Sequence, residues 1–453
     1  MKTVYSGDAL IKKLAGRHTI HPDKTYKMSC FAYPFTHRGR RYLFNTVTRE
    51  CVRLEEGELP ETDGFSVSGA EAAQSGVLSQ LAERFFLAPC DRDEDAFYLN
   101  LFRLSRRMTL KKGYILYTIL PTTACNARCI YCYESGIKYE TMNDATAKQT
   151  VRFILDTCRP GKKIQINWFG GEPLVGEAVI DEITRGLNEA GLDYRSMIIT
   201  NGSLITPELV DKMKKDWRLT SAQVSMDGNE ADYNYRKCYV HSYESAYRVV
   251  LQNVKLLADS GIRTDLRCNV DNDNIDGVRT LADDIKALAP DKKYISFYLT
   301  LLFDVLKSEA GLEVWQKSFE VSRYIESLGY SVVYRSNPLE MKRRSCMADD
   351  PVECTVIAPD GRTFNCENIM AFDPTGNVFD GVTNDALVRS FDEAEPVREK
   401  CSGCLYLPEC TTFSRCGHIA ANCKYYRGKR LDIMVRMLVD RKDDISAPEQ
   451  GGC

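Results

Sequence analysis

Residues 114–136 read YILYTILPTTACNARCIYCYESG: an apolar run, Tyr114–Leu120, then a loop with three cysteines inside eight residues. The run has the length and apolar character of a buried strand. The spacing C-x3-C-x2-C places Cys125, Cys129 and Cys132 on the one loop that follows it. Three thiolates on a short loop can hold three irons of a cubane and leave the fourth iron open. A reactive cluster needs that open iron, whereas a closed structural site uses four ligands. Zinc would want a fourth Cys or His close by, and none follows within the next twenty residues.

The pattern of strand, loop and helix continues outward from this stretch. Strand-like runs recur at Ile164–Phe169, Met197–Thr200, Ala222–Met226, Thr264–Val270 and Tyr294–Leu302. Between them lie helical patterns. Tyr247, Val250, Val254 and Leu257 recur at spacings of 3, 4 and 3, with Gly261 as a stop, and Asn143 is an N-cap for a helix over Ala145–Cys158. Six strands alternating with helices predict an α/β fold, a partial (β/α)6 TIM-type barrel of parallel strands with right-handed crossovers. In such folds ligands gather at the C-terminal ends of the strands.

The flanks differ. Residues 1–110 read as a small α+β domain, with short strands at Phe31–Pro34, Arg41–Phe44 and Cys51–Leu54 and a helix near Ala70–Phe86. Residues 111–340 carry the barrel. Residues 341–427 are loop-rich and cysteine-dense, a composition that needs metal clips in place of a large core. Residues 428–453 form a helix and a tail.

Of 453 residues 27% are charged, and the formal net charge is −3, which argues against nucleic acid as the main partner. No apolar run approaches the roughly 18 residues of a membrane span. The first residues, MKTVYSGDALIKKL, lack the apolar stretch of a signal peptide, so a cytoplasmic location is expected. Eighteen cysteines in a reducing compartment read as metal ligands where they cluster. Eight of them fall between 346 and 423. Only five histidines are present, which favours all-thiolate sites. Cys30, Cys51, Cys90, Cys158, Cys238 and Cys268 are scattered and read as ordinary buried cysteines.

With Tyr131 just before the last cysteine, the first cluster resembles the signature of the radical S-adenosylmethionine (radical SAM) superfamily. Further motifs follow in order. Gly170-Gly171-Glu172-Pro173, after the second strand, resembles the family's GGEP motif. In that motif Glu172 would pair with the amino group of the methionine moiety, and the glycines would let backbone approach the ligand. Thr200-Asn201-Gly202 follows the third strand. Ser225-Met226-Asp227-Gly228 resembles the SxDG element that contacts ribose or carboxylate. Arg236 or Arg267 would hold the cofactor's carboxylate bidentately. Tyr131 would lie against the adenine. The resemblance implies S-adenosylmethionine and a [4Fe–4S] cluster as cofactors. It also implies a 5′-deoxyadenosyl radical that abstracts hydrogen from unactivated carbon.

The C-terminal cysteines resemble the SPASM extension of radical enzymes that modify peptides. Cys346, Gly361 and Cys366 open the pattern, and Cys401-x2-Cys404-x5-Cys410 continues it. The family's next cysteine would fall at Ser414, but here it stands two residues on, at Cys416. With Cys354 and Cys423 the thiols number eight, enough for two more cubanes and three clusters in all. The family's interleaving would give Cys346, Cys354, Cys366 and Cys416 to one cluster, and Cys401, Cys404, Cys410 and Cys423 to the other. Spacing alone leaves a pair of zinc sites open; the first cluster upstream favours iron–sulfur.

Tyr42-Leu43-Phe44-Asn45-Thr46-Val47-Thr48, with a helix further on, resembles the winged-helix-like leader-binding domain of ribosomal-peptide maturases. Such domains take a leader as an added strand. Residues 1–110 as a simple cap on the barrel is the alternative. The combined reading is a peptide maturase that installs an intramolecular carbon–carbon or thioether cross-link in a precursor peptide, with flavodoxin or ferredoxin as electron donor. A sulfatase-type maturase forming formylglycine is the alternative, with Glu367 where those enzymes carry an aspartate base. A non-catalytic iron–sulfur carrier or scaffold is the alternative from another class.

Overall fold

The structure is a computed structural model, and it describes residues 1–16, 18–59, 64–110, 113–241, 243–288, 290–302, 305, 310–333, 340–341, 347–350, 352–392, 401–409 and 423–443. The chain forms two compact units. One comprises Met1–Lys112, Arg335–Ser345 and Ala394–Cys453; the other comprises Gly113–Tyr334 and Cys346–Glu393.

The first unit holds two small antiparallel sheets. β1 (Lys2–Ser6), β3 (Ala32–His37), β4 (Arg40–Asn45) and β5 (Glu50–Leu54) run in the order β1-β5-β4-β3. β2 (Thr25–Met28), β6 (Ser66–Ser68) and β7 (Leu87–Pro89) run in the order β6-β2-β7. Around them lie α1 (Ala9–Ala15), α2 (Gly69–Gln74), α3 (Gly76–Glu83) and α4 (Glu94–Leu110). The three expected strands are present. The single helix expected near Ala70–Phe86 is two, because Ser75 takes an extended conformation and its hydroxyl accepts the Leu78 N–H as an N-cap.

The helix Cys423–Lys442 belongs to this unit and buries Leu431, Val435, Leu438 and Val439. Its end is tied to the larger of the two sheets. Asp443 accepts from the Tyr42 hydroxyl at 3.1 Å and pairs with Lys2 and Arg53 at 3.2 Å. These donors hold its carboxyl below the usual carboxylate range although burial pushes the other way. The Tyr33 hydroxyl donates to Asp432 at 3.0 Å.

The second unit is the expected α/β sheet. β8 (Tyr114–Thr122), β9 (Lys163–Gly170), β10 (Tyr194–Thr200), β11 (Leu219–Ser225), β12 (Arg263–Val270) and β13 (Ile295–Leu301) lie side by side in sequence order, all parallel. Between them run α5 (Asp144–Thr157), α6 (Glu177–Glu189), α7 (Pro207–Lys215), α8 (Glu230–Lys237), α9 (Ala246–Asp259) and α10 (Gly277–Leu288), and the helix Ala310–Ser327 follows β13. Asn143 caps α5, its side chain accepting the Thr146 N–H at 2.9 Å.

Parallel register fixes which side chains share a face. Ile166, Trp168, Ile198, Ala222, Val224, Leu266 and Phe297 are fully buried on one. The other carries polar rows: Thr118 beside Asn167, Gln223 beside Asp265, and Ser225 beside Arg267 beside Tyr298.

The sheet also extends past what the strand-like runs predict. β14 (Ser331–Val332) joins β13, and β15 (Cys354–Ile357) pairs parallel with β8 and continues into three short antiparallel strands. A four-residue strand inside a cysteine-rich segment carries too few alternations to be read from sequence. No described helix is long and apolar enough to cross a membrane.

Candidate cofactor site at the strand ends

The cysteine loop leaves β8 and is closed at its neck by threonines. Thr122 Oγ1 donates to Glu140 O at 2.9 Å and Thr123 Oγ1 to Lys138 O at 2.8 Å, while Thr123 Oγ1 accepts the Glu140 N–H at 2.8 Å. Within the loop Cys125 and Cys129 are half-buried free thiols and Cys132 is an exposed one. Burial pushes the Cys125 thiol up to about 11 and raises Cys129 and Cys132 as well, so loading with metal must release protons. The three thiols share this one loop, within eight residues. Among the described residues no three Cys, His, Asp or Glu groups gather round a point as one metal ion requires. A cubane spreads three thiolates over three irons and asks only for neighbouring thiols. The donor set fits that group.

The second strand end is fitted against this loop. Gly170 has φ +122, and a Cβ there would lie 2.3 Å from Thr122 O. A Cβ on Gly171 would lie 2.4 Å from Ala124 O and 2.5 Å from Thr123 O. The two glycines therefore let one backbone approach another, where the sequence suggested approach to a ligand. The Glu172 N–H donates to Ala124 O at 2.9 Å and locks the contact.

Glu172 itself is buried. Its carboxylate accepts from Thr200 Oγ1 at 2.6 Å, Asn201 N at 2.7 Å and Leu174 N at 3.2 Å, and burial raises its pKa against those bonds. Of about four lone-pair sites on a carboxylate, three are filled by the third strand end and its own turn. Glu172→Gln turns one acceptor into a donor facing these N–H and O–H groups. It is expected to cost about 1–3 kcal/mol, read as a lower melting temperature of the apo-protein. An unchanged melting temperature would show that the three bonds carry little.

Tyr131 sits between two of the cysteines. Its hydroxyl donates to Asp227 Oδ2 and accepts from Lys237 Nζ at 2.8 Å, and Lys237 pairs with Asp227 at 3.0 Å. Asp227 also accepts from the Asn269 N–H at 2.9 Å. Ser225 ends β11 half-buried beside Arg267. The two candidate arginines differ in commitment. Arg236 is buried, with bonds of 3.2 and 2.6 Å to the two oxygens of Asp271, and its guanidinium carbon lies 5.5 Å from the Tyr131 ring. Arg267 is half-buried, and its Nε donates to Asn269 Oδ1 at 3.1 Å.

Lys237, Asn269 and Asp271 were missed from the sequence. A lysine at a helix end reads as a solvated charge. It lies buried here, with its ammonium on Asp227 and the Tyr131 hydroxyl, and Cys238 closes α8 in the left-handed conformation, φ 45.

The remaining sequence candidates are placed unevenly. Cys354 is buried in β15 and Cys366 is half-buried. Glu134 lies in the charge field of Glu367, and burial first, then that charge, pushes its carboxyl up to about 7. In the first unit Cys401 and Cys404 are half-buried on one turn, with the Cys404 N–H donating to Cys401 O at 3.1 Å. That turn is held by the N-terminal residues. Thr46 Oγ1 donates to Leu405 O at 2.9 Å; Ser402 Oγ at 2.6 Å and Gly403 N at 3.0 Å donate to Asp95; the buried Arg49 reaches Pro408 O at 3.5 Å. Cys346, Cys410 and Cys416 lie outside the described residues, as does the side chain of Cys423.

Comparison with known proteins bears on this site. Residues 119–285, which span β8 to α10, match the model of the Radical SAM superfamily. The chain is 29% identical over 201 residues to an AdoMet-dependent heme synthase of Methanosarcina barkeri, covering 44% of this chain and 54% of that protein. It spans about half the length of the curated relatives it matches first. Among solved structures, native anSMEcpe with bound AdoMet is similar with a TM-score of 0.57 at 17% identity, covering 73% of this chain and 100% of that one. Streptococcus suis SuiB bound to precursor peptide SuiA is similar with a TM-score of 0.51 at 15% identity, covering 89% and 100%.

Proposed function

We propose that this chain, an enzyme of the radical SAM superfamily, is a peptide maturase that installs an intramolecular carbon–carbon or thioether cross-link in a ribosomally made precursor. One observation carries the peptide reading. Residues 113–453 make up about three quarters of the chain, so a fold match covering 89% of it reaches into residues 1–112. The structure matched there was solved with a precursor peptide bound. The first unit offers β1 and β3 as sheet edges on which a leader strand could add.

In this reading Cys125, Cys129 and Cys132 would hold the catalytic [4Fe–4S] cluster, and S-adenosylmethionine would bind at the same strand ends. When bound, the two would supply radical chemistry for hydrogen abstraction. The protein's part is placement. The remaining lone pair of Glu172 would take the cofactor's ammonium, Ser225 and Arg267 would hold its carboxylate, and the Gly170–Gly171 contact keeps the two loops at one spacing. Arg236, committed to Asp271, is the weaker carboxylate partner. Tyr131 orders the loop through its hydroxyl, and its ring would lie against the adenine. Cys346, Cys354, Cys366 and Cys416, and Cys401, Cys404, Cys410 and Cys423, hold two auxiliary clusters. An external flavodoxin or ferredoxin supplies electrons. Glu367, coupled to Glu134, is the candidate base if the product is formylglycine.

The test is incubation of the anaerobically reconstituted enzyme with S-adenosylmethionine, a reductant and a precursor encoded by a neighbouring short reading frame. The expected result is 5′-deoxyadenosine together with a peptide lighter by two hydrogen atoms. Alkylation of every cysteine in the product would assign a carbon–carbon bond, and a blocked cysteine a thioether. A product in which cysteine has lost its sulfur would replace the cross-link reading with formylglycine formation. Absence of 5′-deoxyadenosine would remove the enzymatic reading.

A further inference from the structure

Lys237 is buried, with 3% of its side chain exposed. Its ammonium has three neighbours of different kinds: Asp227 at 3.0 Å, the Tyr131 hydroxyl at 2.8 Å, and the faces of the Tyr131 and Tyr233 rings at 5.5 and 5.7 Å. Its backbone is bound to the cysteine loop as well. The Arg128 N–H donates to Lys237 O at 3.1 Å and to Cys238 O at 2.9 Å, and the Ile130 N–H donates to Arg236 O at 3.1 Å. These two amides flank Cys129. The end of α8 is thus a splint along the loop, with one cation turned inward from it.

A buried cation is costly unless something repays its desolvation. Asp227 repays part of it. Its carboxylate, however, also serves the Asn269 N–H and the Tyr131 hydroxyl. Loading the loop turns three thiols into thiolates, and each electron added to a cluster there makes it more negative. A fixed positive charge in a poorly solvated place favours the more negative state, one of the levers by which a protein sets a cluster's potential.

We propose that Lys237 is a positioning residue that raises the reduction potential of the cluster on Cys125, Cys129 and Cys132 and holds Tyr131 between two of its ligands. The proposal rests on the cluster assignment made above. Lys237→Gln keeps a hydrogen-bond donor toward Tyr131 and Asp227 and removes the charge; Lys237→Arg keeps the charge. The full chain is reconstituted with iron and sulfide and titrated with reductant, the relevant EPR signal being the one missing from a variant without the three cysteines. In Lys237→Gln the ratio of reduced to oxidised cluster at a fixed potential is expected to fall at least about tenfold, which is about 59 mV for one electron. Lys237→Arg should stay within about threefold of the parent.

If Lys237→Gln does not load, Asp227→Asn/Lys237→Gln, which leaves no unpaired acid, is titrated against Asp227→Asn, so that only the lysine's charge differs, and a fall in the same direction is expected. An unchanged midpoint in whichever variant loads overturns the proposal. So does loss of the cluster from both neutral variants with normal loading of Lys237→Arg, because the lysine then only keeps the loop folded. A parent protein that binds zinc and little iron sinks the cluster assignment itself, a result distinct from all of these.

Discussion

Replacing Cys125, Cys129 and Cys132 together by Ala is expected to abolish S-adenosylmethionine cleavage and to remove about a third of the iron. The parent should carry about twelve irons in three cubanes of four. The rest of the molecule should barely notice. The thiols are half-buried or exposed, and the loop is closed at its neck by Thr122 and Thr123 and splinted by residues 236–238, none of which is altered. The apo-proteins should therefore melt within a few degrees of each other, since substitutions away from core and network features usually stay within about 0.5 kcal/mol. Iron and acid-labile sulfide analysis with a 5′-deoxyadenosine assay gives the answer. Residual cleavage in the triple variant would place the reactive iron elsewhere.

Deleting residues 1–110 is expected to leave an insoluble protein that has lost the iron assigned to Cys401 and Cys404. The sequence invites a milder forecast, that an N-terminal leader-binding segment could be removed with cofactor cleavage spared and then restored in trans. The packing changes that forecast. The helix Cys423–Lys442 buries Leu431, Val435, Leu438 and Val439 in the unit that residues 1–112 build. Exposing four such side chains costs roughly 6–12 kcal/mol at 1.5–3 kcal/mol each, as much as a whole domain's stability. The turn bearing Cys401 and Cys404 also loses Thr46, Arg49 and Asp95. Adding the excised segment should rescue nothing, because part of its core is on the other fragment. Size-exclusion chromatography and iron content decide it. A soluble deletion protein with full iron would show that residues 394–453 stand without the N-terminal residues.

What was legible from sequence follows the strength of each signal. The six central strands, read as runs of four to nine residues between helical patterns, were visible to within a few residues at either end, and Asn143 announced α5. The polar environment at their ends was not. Glu172 was readable as an acid in the right loop, but its bonds to Thr200 and Asn201 join strands that only the parallel register brings together. Gly170 and Gly171 advertised a close approach, read from sequence as one to a ligand and made here to the Thr122–Ala124 backbone. Lys237 carried no sign at all, since a lysine at a helix end reads as solvated and its burial follows from packing against Asp227 and Tyr131. β15 was lost in a segment whose composition says loop, because its partner β8 lies more than two hundred residues away.

The discontinuous make-up of the first unit sets an order of events during synthesis. About 310 residues separate Lys112 from Cys423, so at roughly 5–20 residues per second the N-terminal sheet waits on the order of 15–60 s for the helix that covers it. The parallel unit, whose strands pair with sequence neighbours, can assemble from one end during that interval. Meanwhile the sheet of β1, β3, β4 and β5 stands with an apolar face and two open edges, the state most prone to pairing with another nascent chain. Poor yield on overexpression should accordingly respond to slower translation or to chaperones that bind early, more than to extra iron and sulfide.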